Sequence, residues 1–214
     1  MTEIKIKELF EHIPEPLKPL LNEVEEIWTV LPRLQGFLKS LIKPGFHGIK
    51  IGEVYLDPDV YVGKNTIIEH GAMIKGPAYI GANCQIRQGA YLRGNTYIDD
   101  HSIIGHAVEV KNSVIMTKTH CGHFNYVGDS LLGSRVNLGA GAILANLRFD
   151  HKTIKINSLD TGLSKFGALL GDGCQLGSNT VLNPGTIFKK NLNYSGKPLK
   201  SGVYDQTSLQ KAIK

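Results

Sequence analysis

From Val54 onward, large aliphatic residues recur every sixth position: Leu56, Val62, Ile68, Ile74, Ile80, Ile86, Leu92, Ile98, Ile104, Val110 and Met116. Two residues before each stands a smaller or β-branched residue, from Val54, Val60 and Thr66 to Val108 and Val114. Neither the 3.6-residue period of a helix nor the two-residue period of an ordinary strand gives this spacing. A hexad supplies one short strand and one corner, and three hexads close a triangular coil that stacks on the next at about 4.8 Å. Gly63, Gly81, Gly105, Asn65, Asn83 and Asn95 are the expected corner residues, as types that tolerate positive φ. The expected fold is therefore all-β in its main domain, a parallel β-helix of hexapeptide repeats. Leu56, Ile74, Leu92 and Val110 should share one interior column.

The period reappears at Leu132, Leu138 and Leu144, and again at Leu170, Leu176, Leu182 and Phe188. Two polar, histidine-bearing interruptions are thus expected, at 117–125 and 146–167. Before the repeat, Leu17, Leu20, Leu21, Val24, Ile27, Trp28 and Leu31 follow helical spacing, and Leu34, Phe37, Leu38, Leu41 and Ile42 repeat it after Pro32. The organisation read from this is residues 1–45 as N-terminal amphipathic helices bracing the main domain, 46–190 as the β-helix, and 191–214 as a basic C-terminal tail.

Interruptions of a solenoid cost packing and often mark function. Residues 18 apart lie one above another, so Lys75, Arg93 and Lys111 form a stack of cations that either splay into solvent or face an anion. His123 is either a general base or an exposed loop residue, since imidazole titrates near neutrality. Cys121 lacks a visible orienting partner for nucleophilic work. Three cysteines cannot pair fully, and Cys84 and Cys174, at small-residue positions of the repeat, read as buried thiols of a reducing compartment. The spacings of His101, His106, His120 and His123 resemble those of some metal sites, although eight histidines make chance coincidence common; no metal is expected. With 24 Lys+Arg against 19 Asp+Glu, the net charge of +5 favours anionic ligands. No nucleic-acid motif, signal pattern or long apolar run is present, so nucleic-acid binding, secretion and membrane insertion are not expected, and the cytoplasm is the expected location.

Gly-His-Phe-Asn-Tyr-Val-Gly-Asp-Ser at 122–130, Val-Asn-Leu-Gly-Ala-Gly at 136–141 and Ala-Asn-Leu at 145–147 resemble, in order and spacing, the acetyltransferase domain of the bifunctional glucosamine-1-phosphate acetyltransferase/N-acetylglucosamine-1-phosphate uridyltransferase family, above all its archaeal-type members. The resemblance covers about residues 86–188. It implies a left-handed coil, a homotrimer, and direct transfer of acetyl from acetyl-CoA to glucosamine 1-phosphate or a related hexosamine 1-phosphate. His123 matches the general base. Arg93, Lys111, Tyr126, Asn137, Asn146 and Lys152 match positions that bind the amino-sugar phosphate, and Ala140 and Ser178 match positions at the thioester end of acetyl-CoA. The helices of 1–45 stand where bifunctional members carry a nucleotidyltransferase domain, so only acetyl transfer is expected here, with a separate uridyltransferase as a possible partner. Regular hexads are expected to stop after Phe188, with Lys189, Lys190, Lys197 and Lys200 either gripping coenzyme A phosphates or lying in a solvated tail. Two alternatives remain from the residues alone: a γ-carbonic-anhydrase-type zinc hydratase using His70, His101 and His106, and a non-catalytic β-helix subunit of a sugar nucleotidyltransferase.

Overall fold

The hexads close into three-sided coils, seen in a computed structural model that describes residues 4–22 and 24–213. Residues 1–3 and Glu23 of the expected helical segment, and Lys214 of the expected tail, lie outside the described residues. Strands of two to four residues build three parallel faces. The first face has nine strands, from Gly45–Phe46 to Gly202–Tyr204; the second has eight, from Ile49–Lys50 to Asn193–Tyr194; the third has seven, from Tyr55–Leu56 to Val181–Leu182. Leu56 pairs with Ile74, Ile74 with Leu92 and Leu92 with Val110, and the column runs on through Val127 and Leu144 to Leu182. The expected parallel β-helix with an N-terminal helical segment is the fold observed.

Asn65, Asn83 and Asn95 take positive φ, as expected of corner residues. Gly63, Gly81 and Gly105 do not, and their requirement is a different one. Each lies so close to the next coil that a Cβ would run into its backbone: Gly81 and Ala82 for Gly63, Asp99 and Asp100 for Gly81, Gly122 for Gly105. The missing side chain lets coils approach, whereas the asparagines turn the chain.

The hexad also slips where the sequence shows no slip. Ile98 pairs with Ile115, not Met116, and Thr96 pairs with Ser113, not Val114. Asn112 alone (φ 46°) turns the corner that Gly94 and Asn95 turn one coil earlier, and Asp129 alone (φ 48°) turns the next. Each left-handed corner drops one residue. Val114 and Met116 therefore face outward, where the N-terminal helices bury them. The expected loop at 117–125 is instead an ordinary coil: His120–His123 pairs with Ile103–His106, and Cys121 occupies the interior column between Ile104 and Leu138. Among the described residues of the coil, only 146–167 is an insertion. It leaves between Leu144 and Ala168 and carries a hairpin in which Lys155–Ile156 pairs with Leu159–Asp160.

Ile6–Leu9, Glu15–Leu17, Lys18–Leu21, Ile27–Thr29 and Val30–Leu41 form the helical brace. The sequence divides the helices at Pro32, but the chain breaks before Ile27, and Pro32 sits in the first turn of Val30–Leu41, where a missing N–H costs no intrahelical bond. Leu17, Leu21, Leu34 and Leu38 pack over the first face, burying Tyr97, Val114, Leu131, Leu169 and Ile187. The buried Asp172 ties the segment down: its carboxylate accepts from the N–H groups of Glu11 and Ser134, and its own N–H donates to the Leu9 carbonyl. The coil also continues past Phe188. Tyr194 extends the interior column beyond Leu176, Gly202–Tyr204 adds to the first face, and Leu209 of the helix Gln206–Ile213 is buried in the interior cluster. Lys189 and Lys190 pair with Glu8 and Glu11 of the N-terminal segment.

Candidate functional site

The corner between the second and third faces carries a ladder of sequence-selected residues. His106 and His123 are partners in register. Because Cys121 pairs with Leu138 and Leu138 with Leu176, Ala140 and Ser178 occupy the same corner position in the two following coils. The Gly141 N–H donates to the His123 carbonyl at 2.9 Å and the Asn179 N–H to the Ala140 carbonyl at 2.8 Å, which locks this alignment. Successive members are thus about one strand spacing apart. His123 is exposed, followed by an exposed Phe124 in left-handed geometry. The Phe124 ring stands edge-on to His106 at 5.3 Å and 6.4 Å from the His123 ring. His106 Nδ1–H donates to the Gln88 carbonyl at 2.9 Å, which turns that imidazole back along the ladder.

The third face leads away from this corner and ends in a charged cluster. Its outward column runs Tyr91, Glu109, Tyr126, Ile143. Lys75 and Arg93 are in register, as the repeat implies, and both lie near the Tyr91 ring, at 5.9 and 6.0 Å. Of the two readings of the stack, splayed cations or cations facing an anion, Arg93 and Lys111 take the second, with carboxylates of the chain itself. Arg93 Nη1 meets Glu109 Oε1 at 2.8 Å, and Lys111 Nζ meets Asp129 Oδ2 at 3.2 Å. Asp129 is buried and accepts two further bonds, from Asn112 Nδ2 at 2.8 Å and Asn146 Nδ2 at 2.5 Å. The bond to Glu109 raises the Arg93 pKa above its usual value. Burial raises that of the Tyr126 phenol, reinforced by Asp129 and Glu109 and opposed by a bond from Asn146. Lys111 and Asn146 thus meet on Asp129, Tyr126 bonds Asn146, and the Arg93–Glu109 pair lies beside them, Glu109 being in register with Tyr126. Tyr126 opens the strand Tyr126–Gly128, His123 precedes it, and Asp129 follows it.

Asn137 and Lys152 are not part of that cluster. Asn137 is exposed on the second face, in register with His120. Lys152 is exposed in the insertion, its backbone N–H donating to Asp150. There Arg148 holds Asp150 by two bonds of 2.8 and 2.7 Å, and a fully exposed Phe149 overlooks a cleft of about 640 Å³ that Pro184 and Lys200 also line. His101 turns the corner at the opposite end of the second-face strand from His106, and His70 lies at the His106 corner two coils earlier. Cys121 is buried in the column, where loss of solvent pushes its thiol up to about 12. It does not face the ladder. Glu109, Asn112 and Asp129 were not singled out from the sequence. For Asp129 the available signal was its place in the Gly-Asp-Ser that closes the quoted motif, immediately before the period resumes at Leu132.

Residues 74–195, more than half of the chain, match the GMPPB C-terminal domain family. A bifunctional protein GlmU of Methanococcus maripaludis is 39% identical over 184 residues, covering 82% of this chain and 43% of the relative. A bifunctional sugar-1-phosphate nucleotidylyltransferase/acetyltransferase of Sulfurisphaera tokodaii is 45% identical over 86 residues, 38% of this chain and 21% of the relative. The Escherichia coli protein YaiX is 37% identical over 166 residues, 74% of this chain and 71% of its own length. The chain therefore spans less than half the length of these archaeal relatives. With its hexapeptide coils, its corner ladder and these matches, the chain belongs to the GMPPB C-terminal domain family, among the hexapeptide-repeat acetyltransferases.

Proposed function

We propose that this protein transfers acetyl from acetyl-CoA to the amine of glucosamine 1-phosphate or a related hexosamine 1-phosphate. The observation that carries this reading is the ladder His123, Ala140, Ser178 at one corner, one strand away from the charged cluster that Lys111, Tyr126 and Asn146 form around Asp129 with the Arg93–Glu109 pair beside it. In this reading the cationic end of the third face takes the phosphate, and the acetyl thioester lies along the ladder at Ala140 and Ser178. The sugar amine attacks the thioester carbonyl carbon while His123 accepts the amine proton. The carbon–sulfur bond then breaks, coenzyme A leaves as the thiolate and takes up the proton that His123 accepted, and no covalent enzyme intermediate forms. Asn137 and Lys152 lie away from His123 and Asp129 within one chain. A homotrimer, in which the second or third face of one copy meets another, would bring them to a shared site. A cytoplasmic location and a separate uridyltransferase partner belong to the same proposal. Among the described residues no helix is long and apolar enough to cross a membrane.

Thiol release from acetyl-CoA tests the reading against glucosamine 1-phosphate, galactosamine 1-phosphate and glucosamine 6-phosphate. Release is expected with a hexosamine 1-phosphate at least tenfold faster than with the 6-phosphate. No release with any of the three would overturn the assignment.

A further inference from the structure

Asp129 is the most heavily bonded side chain of the cluster and the only carboxylate in it that is buried. Its backbone turns a one-residue corner, with its N–H donating to the Lys111 carbonyl and its carbonyl accepting from the Gly167 N–H. That fixes the carboxylate between three coils. Asn112 Nδ2 reaches Oδ1, while Lys111 Nζ and Asn146 Nδ2 share Oδ2. A carboxylate is an acceptor only, so each carboxamide that bonds to it must turn its NH2 inward. The Oδ1 atoms of Asn112 and Asn146 are thereby left for other partners. The Lys111 ammonium is likewise held by one of its three donors, leaving two for an anion.

We propose that Asp129 is a positioning residue of the acceptor site, fixing where the Lys111 ammonium stands and which atom Asn146 presents to the amino-sugar phosphate. The inference rests on the acyl-transfer reading above for the identity of the ligand, but its geometry stands apart from it. An asparagine at 129 offers an NH2 where a carboxylate oxygen accepts now. Asn146 then turns its oxygen inward to pair with it and presents NH2 outward, while Lys111 loses its ion pair and swings free. The site would keep its shape and lose its donor and acceptor pattern. A role confined to fold stability would instead affect both substrates alike.

Asp129→Asn separates these possibilities. KM for glucosamine 1-phosphate is expected to rise about tenfold or more, with kcat and KM for acetyl-CoA within about threefold of wild type, in line with loss of a charge-assisted hydrogen bond. If Asp129→Asn does not fold, Asn112→Gly serves, because it keeps the left-handed corner and removes the partner of Asp129 Oδ1; KM for glucosamine 1-phosphate is then expected to rise about fivefold or more, beyond any change in kcat or in KM for acetyl-CoA. Calorimetric titration of glucosamine 1-phosphate and of inorganic phosphate is run beside the kinetics. If the wild type binds glucosamine 1-phosphate without consuming acetyl-CoA and the folded variant loses that binding, acyl transfer falls and the positioning role stands. If the wild type turns over and the variant has an unchanged KM, or both KM values rise together as Tm falls, the positioning role is overturned and acyl transfer stands. A wild type that neither binds nor turns over overturns both.

Discussion

His123 and Cys121 are two residues apart on one strand and have opposite surroundings. Alternation alone would point both the same way; Cys121 fills the interior column, whereas His123 ends the strand at the corner that Phe124 turns in left-handed geometry, and so stands open. His123→Ala is expected to lower kcat by about 10²- to 10⁴-fold, with partial recovery at higher pH as the amine loses its proton unaided. The thiols make a pH prediction whose sign is fixed by burial. Desolvation raises Cys84 and Cys174 to about 11 and Cys121 to about 12, from an ordinary 9.0. Below pH 9 both folded and unfolded chains keep these protons; above it the unfolded chain ionises first, so unfolding releases protons and stability falls as pH rises towards 12. Cys121→Ala should cost about 1 kcal/mol at pH 8 and less at pH 10.5, where the wild type has lost its advantage, as read by urea midpoints. At pH 8 iodoacetamide should label none of the three native thiols. Arg93 and Lys111 also part company. The Arg93 pair is half exposed, so Arg93→Ala should raise KM for the sugar phosphate with less than about 1 kcal/mol lost in unfolding. Lys111→Ala should raise KM and also cost about 1–3 kcal/mol, because it strips a partner from a buried carboxylate.

At the scale of elements, a period of six identifies the coil but cannot report a corner that loses a residue. Asn112 and Asp129 each turn the chain alone, and the slip is hidden because Val114 and Met116 are as apolar as the interior residues they mimic. What makes them apolar is the helical brace that covers the first face. The brace is therefore expected to be integral to the fold. Leu34→Ala or Leu38→Ala, each fully buried, should lower unfolding stability by about 2–5 kcal/mol in denaturant titration, and lower it for the whole chain in one transition. A separate early transition of the helices would contradict this. The insertion 146–167 was legible as an interruption, because its polar opening breaks the period outright. Its hairpin was not, because Ile154, Ile156 and Phe166 are set by the surface they meet.

For the whole molecule, the helices occupy the first face and leave the second and third, with their corner ladder, facing outward. Exposed Ile49, Ile51, Tyr55 and Met73 lie on or beside strands of these two open faces. Three chains packed through them would bury such residues and gather Asn137 and Lys152 towards a site on a neighbour. Light scattering at micromolar concentration should give three times the chain mass, and a stable monomer would contradict the assembly.

The sequence by itself determined the coil, the aliphatic columns and the existence of a helical brace, because a repeat of six has one cheap way to bury its apolar positions. Tertiary structure alone decided the phase after Val110, the inward turn of Cys121 and the gathering of Lys111, Asn112 and Asn146 on Asp129. The physical reason is one of locality. Burial period is written along the chain, whereas a corner's length and a carboxylate's partners depend on residues brought together from different coils.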